Sequence, residues 1–443
     1  MMSSTVSVVR YHKPLESVQQ AVNRCHGLDD VKPGMRVFVK PNIVFWTKTV
    51  AFPKWGVITT SRVVEDMIVL LKEKGVNDIT IGEGMVTQSP KDGRTPAHAF
   101  ATLGYRTLER RYGVKTINVF ERPFEAVDLG DGVSLNFNTD ILHSDLVVDL
   151  PAMKAHNQTV VSLGIKNLKG TIDIPSRKRC HNADPVKNLD YMVARLADRL
   201  PPVFTLIDGI YTLERGPGPD GSMRRSDILV ASKDILSADM VGARLLGYPA
   251  SQVPHLAMAA ANRGRPTDLS DVRVVGEPIA ELARPHHFDF PYTSDEHGEL
   301  PLPLAKQGIK GVFYRKYDDT MCTYCSQLNG LTLTAIRFAW KGQAWDRIEI
   351  LTGKRMNPTP GMQATILLGK CMYQKHKNNP DINRMIAVKG CPPRPSDIVK
   401  ALHQAGIDAD PGLFDNIDQL PGFFMARYQD RPEFEEGFFR VEG

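Results

Sequence analysis

Long apolar stretches are missing from this sequence of 443 residues. No run approaches the ~20 apolar residues that a helix needs to cross a bilayer. The first residues, Met-Met-Ser-Ser-Thr-Val-Ser-Val-Val-Arg, also lack the basic stretch followed by an apolar one that marks a secretory signal peptide. These absences predict a cytoplasmic protein that makes no contact with a membrane.

The sequence also lacks a strong excess of charge of either sign. Its 55 lysines and arginines against 50 acidic residues give a formal net charge of +5. This small and diffuse excess does not indicate nucleic-acid binding, although it is compatible with a small anionic substrate. Nucleotide and hydrolase motifs are missing as well, because Gly82-x-Gly84 has no third glycine and neither a Walker lysine pattern nor a Gly-x-Ser-x-Gly elbow occurs.

Cysteine is scarce, but four of the six cysteines lie in the last third of the chain. They are Cys322 and Cys325, separated by two residues, then Cys371 and finally Cys391, which a proline follows. In a reducing compartment such a group is more typical of metal binding than of disulfides. A close pair, two distant singles and a proline after the last favour a 4Fe-4S cluster. A structural zinc site and unrelated buried thiols remain open as alternatives.

The segment around the last cysteine resembles the cluster-binding small subunit of respiratory complex I and of related hydrogenases. The resemblance lies in Ile-Leu-Leu-Gly-Lys-Cys371 and in Val388-Lys-Gly-Cys-Pro-Pro-Arg-Pro395. It implies that Cys391 supplies the last ligand of a 4Fe-4S cluster. The chain departs from that family at the first ligands, which are adjacent cysteines there and Cys-x2-Cys here.

The order of apolar runs and amphipathic stretches predicts an α/β fold with two domains. We expect a large parallel-sheet α/β domain over residues 1–275 and a linker or covering loop over 276–312. A smaller α/β iron–sulfur domain with an aromatic tail follows over 313–443. The tail is expected to pack on the body of the protein or on a partner. The predicted strands are 36–40, 78–82, 116–119, 146–150, 204–207, 228–231, 348–351, 364–369 and 385–389. The predicted helices are 15–25, 60–74, 97–111, 189–200, 236–246, 253–263 and 397–406.

Polar residues follow several of the predicted strands of the large domain. Because functional groups gather at the carboxyl ends of parallel strands, we expect these residues to surround one crevice that binds a small anion. Lysines suit a carboxylate or phosphate, and a histidine or a desolvated lysine can transfer a proton. A basic run at 177–179 is interpreted as a solvated loop. The predicted catalytic residues are Lys154, His156 and Lys166. The predicted substrate-binding residues are Lys40, Asn42, Glu83, Asn167 and Lys169.

The same motifs, taken in order, resemble the domain-of-unknown-function family numbered 362, over roughly residues 5–275. They include Lys40-Pro-Asn42, Gly82-Glu83-Gly84 and Gly164-Ile-Lys-Asn-Leu-Lys-Gly170. The resemblance implies an α/β fold and a link to iron–sulfur chemistry. It does not imply a particular reaction.

Taken together, the sequence predicts an iron–sulfur protein that holds one 4Fe-4S cluster on Cys322, Cys325, Cys371 and Cys391. Its expected role is electron transfer to, or reduction of, a small anionic substrate or a redox partner protein, and a homodimer is possible. One alternative is a non-redox lyase or transferase with a structural zinc ion. Another is an accessory or maturation protein for an iron–sulfur enzyme.

Overall fold

The computed structural model describes residues 4–87 and 91–441, which divide into two compact units. Unit 1 comprises residues 1–177, 190–289 and 421–443. Unit 2 comprises residues 178–189 and 290–420. No helix in the described ranges is both long and apolar enough to cross a membrane.

Unit 1 is built on a mixed sheet of ten described strands, most of which pair in parallel. The spatial order is β12-β1-β11-β10-β7-β2-β3-β4, with β8 pairing beside β10 and β9 beside β8. A separate antiparallel pair is formed by β5 and β6. The strands are β1 (Ser4–Arg10), β2 (Arg36–Pro41), β3 (Asp78–Glu83), β4 (Lys115–Asn118), β5 (Phe124–Asp128), β6 (Ser134–Asn138), β7 (Leu146–Leu150), β8 (Ala152–His156), β9 (Val160–Ser162), β10 (Val203–Gly216), β11 (Ser222–Ser232) and β12 (Val272–Gly276).

The centre of this sheet is parallel because its strands alternate with crossover helices. Strand β2 pairs in parallel with β3 on one side and with β7 on the other. Helix α2 connects β2 to β3, and the Thr60 side chain caps it by accepting a hydrogen bond from the Val63 N–H. The carboxyl ends of β2, β3 and β7 therefore meet at one edge, which is where polar residues follow in the sequence.

The described helices of both units are short, apart from α2 and α13. Those of unit 1 or shared at its boundary are α1 (Glu16–Arg24), α2 (Ser61–Glu73), α3 (Arg94–Thr102), α4 (Tyr105–Tyr112), α5 (Thr139–Leu142), α6 (Gly164–Asn167), α7 (Ile174–Cys180), α8 (Leu189–Ala194), α9 (Ile235–Leu245), α10 (Pro254–Asn262) and α11 (Ile279–Leu282). Those of unit 2 are α12 (Leu302–Ala305), α13 (Thr323–Ala339), α14 (Lys370–His376), α15 (Pro395–Gln404) and α16 (Pro411–Asp415). Single 3-10 segments cover Val119–Glu121, Leu168–Thr171, Ala250–Gln252, Ile417–Arg427 and Glu436–Phe439.

Unit 2 contains a second sheet of six described strands in sequential order. The first pair is antiparallel and the other four pairings are parallel. The strands are β13 (Tyr292–Asp295), β14 (Gly298–Pro301), β15 (Val312–Tyr314), β16 (Ile348–Leu351), β17 (Ala364–Leu368) and β18 (Met385–Val388). The first two of these strands and α12 occupy residues that the sequence had indicated as a linker.

The aromatic tail packs within unit 1, although the sequence had grouped it with the cysteine region. The Phe434 ring lies 5.2 Å from the Trp55 ring and 6.0 Å from the Tyr211 ring, measured between centroids. The Trp55 indole N–H donates to the Glu435 carbonyl at 3.2 Å, and Lys54 pairs with Glu436 at 2.8 Å. The tail thus completes the core of unit 1.

One predicted helix is in fact two helices. The sequence had indicated a single helix over 97–111, but α3 ends at Thr102 and α4 begins at Tyr105. Gly104 between them has a φ of 79°, and a Cβ there would lie 2.6 Å from the backbone nitrogen of Val441. Gly104 therefore ends α3 in the left-handed conformation that favours glycine, and the tail packs closely against it.

Candidate functional site

Two buried charged residues meet where β2 and β3 end. Lys40 Nζ lies 2.9 Å from Glu83 Oε2, and both side chains are almost fully buried. The backbone N–H groups of Ile43 and Gly84 each donate to a Glu83 carboxylate oxygen at 2.7 Å. A Cβ on Gly170 would lie 2.5 Å from Glu83 Oε1, so only glycine allows the backbone to approach this pair.

Two asparagines connect this ion pair to a second buried lysine. Asn167 Oδ1 accepts hydrogen bonds from Lys40 Nζ at 3.3 Å and from Asn42 Nδ2 at 2.9 Å. Asn42 Oδ1 in turn accepts from Lys154 Nζ at 2.6 Å, and the Val57 carbonyl accepts from the same ammonium at 2.6 Å. Five of the predicted residues therefore form one buried polar network: Lys40, Asn42, Glu83, Lys154 and Asn167.

Burial dominates the electrostatics of the network, because it disfavours the charged form of each group. It lowers the pKa of Lys154 to about 7, although Glu83 opposes the shift. It lowers the pKa of Lys40 as well, again against the attraction of Glu83. Lys154 is therefore the member whose charge changes near neutral pH.

Buried carboxyl groups line the same region and were not among the predicted site residues. Asn167 Nδ2 donates to Asp149 Oδ1 at 2.8 Å, and burial raises the pKa of Asp149 well above its usual range. Burial also raises the pKa of Asp239 to about 7, although the Ile165 and Gly164 N–H groups donate to it. Asp149 sits within the apolar run of β7, where its position gave no signal in the sequence.

The other predicted residues of unit 1 lie close by along the chain. His156 is buried on β8, two residues beyond Lys154, and its Nδ1 accepts from the Gln158 N–H at 3.1 Å. Lys166 is half-buried in α6, and Lys169 is buried in the 3-10 turn that follows. These two lysines do not share one helix, because α6 ends at Asn167.

The interpretation of residues 177–179 as a solvated loop was wrong, because all three lie in helix α7 and the first of them is buried. Arg177 is only 6% exposed, and its guanidinium lies 4.7 Å from the centroid of the Phe120 ring. Its Nε donates to the Ile172 carbonyl at 3.2 Å. Arg177 is therefore a packed residue of unit 1, whereas Arg179 is exposed as expected.

The network as a whole is buried from solvent, because each of its five members is at most 6% exposed. Its polar atoms bond to one another and to backbone groups that the strand ends present. Such a network holds the strand ends together, and it can also retain or release a proton at Lys154. A substrate that contacts Lys40 or Lys154 directly would require this part of unit 1 to open.

The charge of Lys154 makes the stability of the protein depend on pH. An unfolded lysine keeps its proton up to about pH 10.5, whereas Lys154 in the fold keeps it only up to about 7. Between these pH values the unfolded state binds more protons, so raising the pH favours the folded state by up to about 1.4 kcal/mol per pH unit. We expect Lys154→Met to remove this contribution, as measured by urea unfolding at several pH values from 7 to 9.

The matched control is Lys48→Met, at an exposed lysine of the same unit. It should leave the pH dependence of the unfolding free energy unchanged. Equal pH slopes for wild type and Lys154→Met would show that Lys154 titrates as an ordinary exposed lysine.

In unit 2 three chain segments carry the four clustered cysteines. Cys322 precedes α13 and Cys325 lies in its first turn, where the Cys325 N–H donates to the Cys322 carbonyl at 2.9 Å. Cys371 follows β17 at the start of α14, and Cys391 follows β18. The carboxyl ends of these neighbouring parallel strands bring the segments to one edge of the sheet.

The thiols are near enough to influence one another. A hydrogen bond with Cys322, burial, and the charges of Cys391 and Cys371 all raise the pKa of the Cys325 thiol. Cys371 and Cys391 are exposed, whereas Cys322 and Cys325 are half-buried. The six cysteines of the chain, all within the described ranges, form no disulfide.

Across residues 4–87 and 91–441, no three histidine, cysteine or acidic side chains are grouped so that they could hold one metal ion. The metal ligands named from the sequence therefore stay a prediction.

Positive charge lies beside the cysteines of unit 2. Lys178 Nζ is 3.4 Å from Cys391 Sγ and 5.3 Å from the centroid of the Tyr324 ring. Burial raises the pKa of the Cys371 thiol, while Lys354 and Lys178 act to lower it. Sequence reasoning missed Lys178 in this role, because 213 positions separate it from Cys391.

The segment that contains Lys178 also holds the Lys354 side chain in place. Its Nζ donates to the backbone carbonyls of Lys178, at 3.2 Å, and of His181. The His181 ring is buried and lies within hydrogen-bond distance of the Asp319 carbonyl, at 2.6 Å. Residues 178–189 thus belong to the structure around the cysteines.

Residues 37–244 match a known family model. The family is described as Domain of unknown function (DUF362). The resemblance predicted from the motifs of the large domain is therefore confirmed over these residues. The matched range contains the complete buried polar network and ends before the four clustered cysteines.

Two individual proteins are similar to this chain over about half of its length. The thylakoid-associated protein sll1697 of Synechocystis sp. is 27% identical over 230 residues, which cover 51% of this chain and 68% of the relative. The lactate racemase apoprotein of Thermoanaerobacterium thermosaccharolyticum superposes with a TM-score of 0.37 at 16% identity. That superposition covers 56% of this chain and 57% of the racemase.

Proposed function

We propose that the protein holds one 4Fe-4S cluster on Cys322, Cys325, Cys371 and Cys391 and transfers electrons through it. The observation that carries the proposal is the convergence of these four thiols from three segments of unit 2. A chain that only buried unrelated thiols would have no reason to bring them to one edge of a sheet.

A single zinc ion and a four-iron cluster need different arrangements of the four cysteines. One tetrahedral zinc draws all its ligands to within about 2.3 Å of one point. A four-iron cluster binds each thiolate to a different iron, so its thiols lie farther apart. The single close pair in this sequence fits the cluster better, because zinc ribbons usually supply two close pairs.

The charges around the site also suit an anionic group. Four thiolates bring four negative charges together, and each needs compensation from nearby cations or hydrogen-bond donors. Lys178 and Lys354 are the cations that act on these cysteines. Gly369 leaves space beside Cys325, since even a Cβ there would be 3.8 Å from its sulfur.

When bound, a fully coordinated cluster supplies one-electron transfer. The protein residues do the rest: the cysteines fix its position, and the lysines favour its reduced, more negative state. Cys371 and Cys391 lie at the surface, so they mark the side from which an electron can leave. The acceptor in this proposal is a redox partner protein or a small anionic substrate.

In the same proposal, side chains of unit 1 donate and accept protons. Lys154 can change its charge near neutral pH, and His156 and the half-buried Lys166 lie near it along the chain. We assign the catalytic role to these three residues. The binding of an anion is assigned to Lys169 and to the other members of the buried polar network. This assignment requires the local opening described above.

The proposal is tested by purifying the full chain without oxygen and measuring absorption from 300 to 700 nm together with iron, sulfide and zinc. A broad shoulder near ~400 nm with about four irons and four sulfides per chain is the expected result. A colourless protein with about one zinc would instead establish the non-redox alternative. A cluster that passes readily to an apo-protein acceptor would favour the maturation role.

A further inference from the structure

The positive charge of the protein is concentrated in unit 2. This unit contains 19 lysines and arginines against 14 acidic residues, whereas unit 1 contains 36 of each. The whole net charge of +5 therefore belongs to unit 2. The interpretation of a diffuse charge excess was wrong, because the average over the chain hides this division.

Within unit 2 the excess is concentrated further, in the segments that carry the last two cysteines. Residues 354–400 contain nine lysines and arginines and only two acidic residues. Residues 178–189 add three basic residues against one acidic, whereas residues 290–353 and 401–420 together contain seven basic and eleven acidic residues. The charge thus follows the cysteines and not the unit as a whole.

Five basic side chains border the cysteines and are here named the basic rim: Lys178, Lys354, Lys370, Lys389 and Arg394. Lys178 contacts the Cys391 sulfur. Lys389 Nζ lies 4.5 Å from the centroid of the Tyr373 ring, beside the helix turn of Cys371. Lys370 is exposed, and the Arg394 side chain is 83% exposed despite its ion pair with Asp397.

The basic rim lies beside the place where electrons would leave, because Cys371 and Cys391 are themselves exposed. A patch of one sign of charge beside an exposed redox centre attracts a partner of the opposite sign and orients it during encounter. We propose that the basic rim docks a small acidic electron-carrier protein. This inference rests on the proposed electron-transfer function and names its partner class and contact residues.

A nucleic acid is the less favoured occupant. Binding of single strands combines a basic groove with aromatic platforms on which bases stack. The aromatic rings next to the rim, Tyr324 and Tyr373, are already covered by Lys178 and Lys389.

The experiment uses the full chain with its cluster loaded and an acidic plant-type ferredoxin as the probe. Stopped-flow absorption gives the second-order rate of electron exchange at several salt concentrations. The test variant is Lys370→Glu with Lys389→Glu, and the control is Lys306→Glu with Lys310→Glu, two exposed lysines of unit 2 away from the cysteine segments in sequence. Lys178 and Lys354 stay unchanged so that the cluster environment is kept.

We expect the wild-type rate to fall steeply with added salt. The rim variant should be slower by about 10-fold or more at low salt, and the control should match wild type. With basic cytochrome c as the probe, the rim variant should be the faster one.

Two results would overturn the docking of an acidic carrier on the basic rim while leaving the proposed function intact. One is a loaded cluster with equal ferredoxin rates for the rim and control variants. The other is that a random-sequence DNA duplex binds wild type but not the rim variant, while both exchange electrons with ferredoxin at the same rate. Absence of the cluster from the purified chain would overturn the proposed function, and the docking of an electron carrier with it.

Discussion

Replacing Glu83 by alanine is expected to lower the free energy of unfolding by about 3–5 kcal/mol, because it leaves the buried ammonium of Lys40 without its partner. The same change removes the acceptor for the N–H groups of Ile43 and Gly84, which lie away from water. Urea unfolding of Glu83→Ala and wild type at pH 7 measures the difference.

The matched control is Asp78→Ala, at the other end of the same strand. Asp78 also pairs with a lysine, Lys115, at 3.0 Å, but both side chains are exposed. Exposed pairs contribute at most about 1 kcal/mol, so this variant should differ little from wild type. Similar losses for the two variants would mean that the Lys40–Glu83 pair gains nothing from its burial and its backbone donors.

Replacing Cys325 by serine is expected to abolish the visible absorption and most of the iron of the anaerobically purified protein. All three other cysteines raise the pKa of the Cys325 thiol, so Cys325 lies within electrostatic reach of each of them. A serine hydroxyl has almost the same size but does not become the soft, negatively charged ligand that iron–sulfur clusters require. Iron and sulfide per chain, together with absorption near ~400 nm, measure the result.

Cys25→Ser provides the control for this change. Cys25 is buried in unit 1, where its thiol donates weakly to the Ala21 and Val22 carbonyls at 3.4 Å, and a serine hydroxyl can make the same contacts. Its iron content should equal that of wild type. If instead both variants keep the cluster, the cysteines of unit 2 are not its ligands and the proposed function fails.

Much of the fold could be predicted because local patterns determine it. The apolar run at 146–150 and the capped amphipathic stretch after Thr60 each became the element that their pattern indicates. The single helix predicted over 97–111 was wrong, because Gly104 adopts the left-handed conformation that commonly ends a helix, a local signal that the prediction missed. The position of the tail and of strands β13 and β14 depends on distant contacts, which a local pattern does not contain.

In the candidate sites, too, some features follow from local sequence and others from distant contacts. Lys40, Asn42 and Glu83 could be grouped from sequence because each follows a strand of one parallel sheet. Their burial could not be predicted, since the pattern of strand ends indicates an edge and not whether that edge is open to water. Lys178 could not be assigned to the cysteines either, because nothing in residues 177–179 indicates which distant segment they meet.

Residues 421–441 belong to unit 1 but follow most of unit 2 in the chain, and this order has a consequence for biosynthesis. A ribosome makes residues 290–420 before it makes 421–441, which takes on the order of ten seconds. During that time Trp55 and Tyr211 remain without the ring of Phe434, so the core of unit 1 stays incomplete until residues 421–441 are made. A nascent chain that stops before residue 421 would contain all four clustered cysteines and still expose the aromatic surface that chaperones and proteases recognise.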